Sequence, residues 1–313
     1  MGRLLFACIA SVAAYLGTFV LLLSKPLTLG IVPAMVEHKR AYAAALASPK
    51  LLILGASNAR YSHRCETIGP ALGLPCANLG VAAGLSLDYL RAEFAPVIRP
   101  GDTVYMPLEY GWYRDWTLAP IERTIWVASN PRRLLDLPPL EIARALFQFD
   151  LKFAVSAAAE MALARTGFRT RTGLQTLTAQ GDEKDHTAEK ALAYRASVAA
   201  SPGEVPRLED VRAAVEAPAT IRGFLDWARA REVRVIGGLP TTFDDLTVPD
   251  ALVGHIRRTF EDAGHSFALL PNRSLYPRDC FYDTHYHLHE DCQREHSGRV
   301  AILLRGLSPR GGR

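Results

Sequence analysis

Ser57 and a short segment near the C-terminus carry the residue types from which a covalent acyl-transfer enzyme is built. Ser57 sits in Gly55-Ala56-Ser57-Asn58, and the downstream segment reads Asp283-Thr284-His285-Tyr286-His287-Leu288-His289. A serine hydroxyl is a poor nucleophile at neutral pH. An imidazole must take its proton, and a carboxylate must hold that imidazole in the useful tautomer and orientation. The downstream segment supplies both partners, with His287 as base, Asp283 as its orienter and His285 as second choice of base. Without that segment, Gly-Ala-Ser-Asn reads equally as a strand-to-helix turn in which Ser57 or Asn58 caps the next helix. A second chemistry competes for the same stretch: His285, His287, His289 and Asp291 alternate, so on a strand they would share one face and ligate a metal. That reading leaves Ser57 and Asp283 without a role, so the serine reading is preferred, with no metal and no cofactor expected.

The element that must position Ser57 is the run Leu51-Leu52-Ile53-Leu54, too short for a helix and bounded by Lys50 and Gly55. Its unbroken apolarity marks a strand of a parallel sheet covered on both faces. The C-terminal ends of such strands are where open α/β sheets place ligands and catalytic groups. A short strand at Cys76 enters a glycine-containing turn through Gly84, a helix follows over Leu87 to Ile98, and Pro100-Gly101-Asp102 leads into a strand over Thr103 to Leu108. The rhythm resumes with a helix over Ala219 to Arg231, a strand over Val233 to Pro240, a helix over Pro249 to Ala263, a strand over Ser266 to Leu270 and a closing helix through Leu304. Strands alternating with helices predict an α/β fold. Between them, residues 138–218 read as a mostly helical insertion, clearest over Leu140 to Leu163, with a polar stretch over Thr166 to Lys190.

The 313 residues carry a net charge of +4 with no block of like charge and no basic–aromatic interleaving, which sets nucleic acid aside as a partner. From Leu4 to Leu23 there are 20 residues without a charge, about the length needed to cross a bilayer. No small-residue cleavage site follows closely, so the expectation is an uncleaved anchor over residues 1–24, then a helical linker over 25–49. Cys65 with Cys76 and Cys280 with Cys292 each close a short loop, and two such bridges would imply an oxidising compartment. The localisation expected on these grounds is a single-pass inner-membrane protein with an extracytoplasmic domain over residues 50–305 and a disordered tail over 306–313. A dinucleotide-binding reading of the Leu51 strand fails because Gly-x-Gly-x-x-Gly is absent after it.

On Gly55-Ala56-Ser57-Asn58, on Asn78 through Gly84 and on Asp283 to His287, the chain resembles the SGNH (GDSL-like) esterase and acyltransferase superfamily. The resemblance implies a flavodoxin-like three-layer α/β/α sandwich with a parallel sheet, Ser57 as nucleophile, a histidine base and Asp283 as orienter. It also implies an oxyanion hole from the Ser57 N–H, a glycine N–H, preferably that of Gly84 and otherwise Gly80, and commonly an asparagine side chain. Two places depart from the superfamily. Met106-Pro107-Leu108-Glu109-Tyr110 stands where Gly-x-Asn-Asp belongs, leaving Asn58 as the candidate substitute donor. The usual Asp-x-x-His spacing would place Tyr286 at the base, whereas His287 follows one residue later. Anchored relatives with a helical insertion resemble partners of multi-pass membrane O-acyltransferases that acylate exported or cell-wall polysaccharide. The expected function is thus an O-acyltransferase or esterase acting on acyl, mainly acetyl, groups. A catalytically degenerate polysaccharide-binding or scaffold subunit is the alternative, with Tyr105, Tyr110, Trp112, Tyr113 and Trp116 as sugar-stacking or core residues.

Overall fold

The computed structural model describes residues 2–23, 31–115, 139–147 and 174–307. It divides into two compact units, one of residues 1–35 with 118–175 and one of residues 36–117 with 176–313. In the first unit the uncharged N-terminal run folds as helix α1 (Gly2–Leu23), and Tyr15 stacks on Phe147 of the Pro139–Phe147 helix with ring centroids 5.6 Å apart. Among the described residues no helix is long and apolar enough to cross a membrane. The expected transmembrane anchor, and with it the single-pass inner-membrane localisation, is corrected by this finding. A run without charge meets only part of what a span needs, which is sustained apolarity across the full bilayer width within one helix. Residues 148–163 of the expected insertion helix and 308–313 of the expected tail lie outside the described residues.

The second unit is organised by a five-stranded, wholly parallel sheet. Helix α2 (Ile31–Ala45) leads to β1 (Leu51–Ile53), then α3 (Ser57–Ser62), α4 (Cys65–Leu72) and β2 (Cys76–Asn78). Helix α5 (Leu87–Phe94) follows, capped by the Ser86 hydroxyl accepting from the Tyr89 N–H at 3.1 Å, and then β3 (Thr103–Pro107). The chain resumes with α6 (Glu216–Arg229), β4 (Arg234–Gly238), a small β5 (Thr242–Phe243), α7 (Asp250–Glu261), β6 (Ser266–Ala268), β7 (Leu275–Tyr276) and α8 (Glu290–Leu307). The strand order is β2-β1-β3-β4-β6, with β5 and β7 forming a separate parallel pair. This is the doubly wound 2-1-3-4-5 order seen in flavodoxin-like sheets.

Helix α8 packs on α3 and α4, and α6 packs on α5 and α7. Right-handed crossovers place these two groups on opposite faces, because the chain moves one way from β1 to β2 and the other way from β2 onward. Beneath α3, α4 and α8 lies a core of Leu51, Ile53, Ile68, Tyr105, Ile236, Val300 and Leu304 among others. Two buried histidines join that layer: His63 Nε2 is 3.2 Å from His296 Nε2, and His296 Nδ1 is 2.9 Å from the Tyr276 hydroxyl. Burial lowers both, His63 to about 3, so the pair is neutral and serves as packing. Cys65 is bonded to Cys76, stapling α4 to β2, and Cys280 to Cys292.

The polar stretch read as part of an insertion instead contributes buried charge. Asp182, Glu183 and His186 are almost inaccessible. Asp182 accepts the Cys65 N–H at 2.9 Å, Glu183 pairs with Arg60 at 3.1 Å, and the buried Lys39 ammonium donates to the carbonyls of Asn78 and Gly181. Desolvation lowers Lys39 to about 7, with Arg60 also lowering it and the two carboxylates opposing.

Candidate active site

Ser57 is the first residue of α3, directly beyond the C-terminal end of β1, and is 7% exposed. The turn is tight because two glycines flank it. A side chain at Gly55 would meet Ala59 Cβ at 2.9 Å, and one at Gly80 would meet the Arg60 nitrogen at 2.6 Å and the Ala56 carbonyl at 2.9 Å. Asn78 at the end of β2 completes this wall, its amide donating to the Ala59 and His63 carbonyls while its oxygen accepts the Gly80 N–H at 2.9 Å.

Asp283 and His287 are brought together as a pair, with Oδ1 2.6 Å from Nδ1. Their loop is held on both sides. The disulfide joins Cys280 to Cys292, Phe281 bridges Leu288, and the Tyr282 N–H donates to the His287 carbonyl at 2.7 Å. The Tyr286 carbonyl lies 3.0 Å from both the Ser62 and Thr241 hydroxyls, which ties the loop to the end of α3. The imidazole of His287 stacks on the Tyr61 ring, centroids 4.0 Å apart and 10° from parallel. Tyr61 is four residues beyond Ser57 on α3, so the two share a helix face and His287 is stacked one turn along that face from the serine. Among the described residues no hydrogen bond joins Ser57 to His287. Catalytic contacts of this kind often tighten only when substrate binds. Burial lowers the His287 pKa, against the raising effect of Asp283, so its ring is neutral near pH 7 and able to accept a proton.

The expected oxyanion donors fare differently. Asn58 is fully buried, its amide donating to the Pro107 carbonyl at 2.6 Å and its backbone N–H to Glu109 Oε1 at 3.2 Å. Its side chain is therefore committed to the end of β3. Gly84 adopts φ +85 in the turn before α5, and among the described residues no hydrogen bond links it to the serine turn. Gly80 is the glycine that touches that turn.

The three histidines take separate partners. His285 Nε2 is 3.9 Å from Glu204 Oε2, His287 holds Asp283, and His289 Nε2 is 3.5 Å from Cys292 Sγ. Among the described residues the group with metal-ligand spacing is Cys280, His289 and Cys292, and its two sulfurs are already spent in the disulfide. Tyr105, Tyr110, Trp112 and Tyr113 are all buried, so they pack the core and present no sugar platform; Trp116 lies outside the described residues. Three residues not singled out from sequence lie against the candidate residues: Tyr61 stacks on His287, Glu109 accepts the Asn58 N–H, and Glu204 lies 3.9 Å from His285. The spacing of four from Ser57 was the available signal for Tyr61, and the place after β3 was the signal for Glu109.

Compared with known proteins, the chain matches no family model, no curated protein and no solved structure.

Proposed function

We propose that this chain is a serine-dependent esterase or O-acyltransferase of the SGNH-like type, with Ser57 as nucleophile, His287 as base and Asp283 as orienter. The observation that carries the reading is the Asp283–His287 pair at 2.6 Å, stacked on Tyr61 one helical turn from Ser57. In the first step Ser57 Oγ attacks an acyl carbonyl while its proton passes to His287 Nε2. The leaving alcohol then takes that proton, and an acyl-serine remains. A second hydroxyl, from water or a sugar, gives its proton to His287 and attacks the acyl carbonyl; the bond to Ser57 Oγ breaks and the serine takes that proton back. The carboxylate of Asp283 on Nδ1 keeps Nε2 free of hydrogen in the resting state and stabilises the imidazolium that forms. The acyl group is small, acetyl by resemblance, and the acceptor class is the hydroxyl of a polysaccharide.

The test is p-nitrophenyl acetate turnover by the full chain beside Ser57→Ala, with intact mass read for an acetyl adduct. Turnover or an adduct that disappears in the alanine variant supports the reading. A folded wild type with neither sinks it.

A further inference from the structure

This inference rests on the serine acyl-enzyme reading above and concerns how the charge formed during attack is met. In place of the superfamily asparagine the chain presents Glu109, two residues beyond β3. The residue is only 7% exposed, and its Oε1 accepts the backbone N–H of Asn58, the residue that follows the nucleophile, at 3.2 Å. Among the described residues its other oxygen has no hydrogen-bond partner, and that oxygen is not fully enclosed. An ionised carboxylate here would oppose the developing oxyanion, whereas a carboxylic acid is a donor, as an asparagine amide would be.

We infer that Glu109, carrying its proton, is the side-chain donor of the oxyanion hole, hydrogen-bonding the acyl oxygen as Ser57 attacks. The Oγ–C bond forms, the carbonyl π pair moves to oxygen, the serine proton goes to His287, and the Glu109 proton stays on Glu109. Collapse restores the carbonyl and expels the alcohol. The surroundings favour the acid form. Desolvation raises the Glu109 carboxyl to about 7, the Asn58 N–H opposes this, and the carboxylate of Glu204 adds to the rise. Glu204 itself is paired with Arg114, lies 3.9 Å from His285 and accepts the Tyr286 hydroxyl at 3.1 Å. The same hydroxyl accepts the Tyr110 N–H at 3.3 Å, so the phenol of Tyr286 belongs to the same group of side chains.

The experiment measures kcat/KM for p-nitrophenyl acetate from about pH 5 to about pH 9, with full-length wild type, Glu109→Gln and Glu109→Ala. Wild-type activity should rise with deprotonation of His287 and then fall above about pH 7 as Glu109 ionises. The glutamine variant, whose amide donates at every pH, should keep activity within several-fold at acid pH and lack the alkaline fall. The alanine variant should lose about a hundredfold or more at acid pH. An alkaline fall unchanged in Glu109→Gln, or an alanine variant within about threefold of wild type, overturns the assignment while Ser57-dependent turnover stands. A wild type with no Ser57-dependent turnover removes the underlying reading and this inference with it.

Discussion

Lys50 and Asp102 form a closed ion pair at the N-terminal ends of β1 and β3, with Nζ 2.7 Å from Oδ2 and neither side chain exposed. The two are unequal. Asp102 also accepts the N–H of Lys50 at 3.1 Å and of Arg99 at 2.8 Å, while among the described residues the ammonium has besides it the Ser48 hydroxyl at 3.2 Å. Removing one member of a buried pair leaves an uncompensated charge and costs about 3–5 kcal/mol. Lys50→Met leaves a carboxylate still held by two N–H donors, which places it at the lower end. Asp102→Ala strands the ammonium and takes the acceptor from two backbone donors, each worth about 1 kcal/mol or more when left unpaired, which places it at the upper end or beyond. The double variant Lys50→Met/Asp102→Ala removes both charges and should cost at least about 2 kcal/mol less than the two single losses added together. Urea unfolding of the full chain followed by circular dichroism measures all three. Because the pair sits at the end of the sheet opposite Ser57, ester turnover by the folded variants should stay within about twofold of wild type. Single variants that each lose under about 1 kcal/mol, or losses that simply add, would refute the reasoning.

Other expectations follow from the site. Asp283→Asn should lower kcat about 10⁴-fold with the fold intact, because an amide on Nδ1 permits the wrong tautomer; a loss under about tenfold would remove Asp283 from the role of orienter. Replacing Cys280 and Cys292 by serine opens a crosslink of sequence separation 12, at a cost of about 3 kcal/mol in the chain-entropy account. It should also depress turnover more than the Cys65/Cys76 pair of substitutions does, a ranking that thermal melts and kinetics on both variants check. The Glu109 carboxyl is raised from its ordinary 4.5 to about 7 on folding. The folded chain therefore binds the proton more tightly, and this contribution to stability is complete below the ordinary value and lost as pH rises through about 7. At about 1.4 kcal/mol per pH unit the change amounts to about 3 kcal/mol. Glu109→Gln, which cannot ionise, should accordingly gain on wild type between about pH 5 and pH 8, and a pH-independent difference in unfolding free energy would contradict the burial argument.

The sheet was legible where one physical signal dominated. Leu51 to Leu54 is an unbroken apolar run and Val235 to Leu239 carries no polar side chain, and strands buried on both faces have no other pattern to show. Helix α7 was predicted over Pro249 to Ala263 and runs from Asp250 to Glu261, because its apolar residues recur at helical spacing and buried Leu252, Val253, Ile256 and Phe260 form one stripe. The two disulfides follow the local pairing that the spacing suggested. Helices α3 and α4 leave little trace in the sequence, since the first has only six residues and the second carries Pro70 within it. Asp182 and Glu183 fall in the stretch read as the polar part of an insertion, yet both are buried against Arg60, Lys39 and the Cys65 N–H. Polarity in a sequence does not distinguish a charge facing water from one with a buried partner. At the N-terminus the opposite error arose, where absence of charge was taken for a membrane span. In the candidate site, Asp283 and His287 stand out by residue type and are brought together, while Asn58 and Gly84 were assigned by motif position alone; Asn58 is bonded to the end of β3 and Gly84 stands in the turn before α5.

The strand order carries a consequence for how a substrate arrives. Beyond β1 the chain departs toward β2, and beyond β3 it departs the opposite way toward β4, so the connections above these two adjacent strands part from one another. Where they part, the carboxyl ends of the strands are left uncovered and a crevice opens. Ser57 stands at that fork, with Asn78 and Gly80 on one bank and Pro107 and Glu109 on the other. On the acyl-enzyme reading, this fork is where an acyl group would meet the serine, and changes on its banks would alter the acceptor while the strands beneath keep their register.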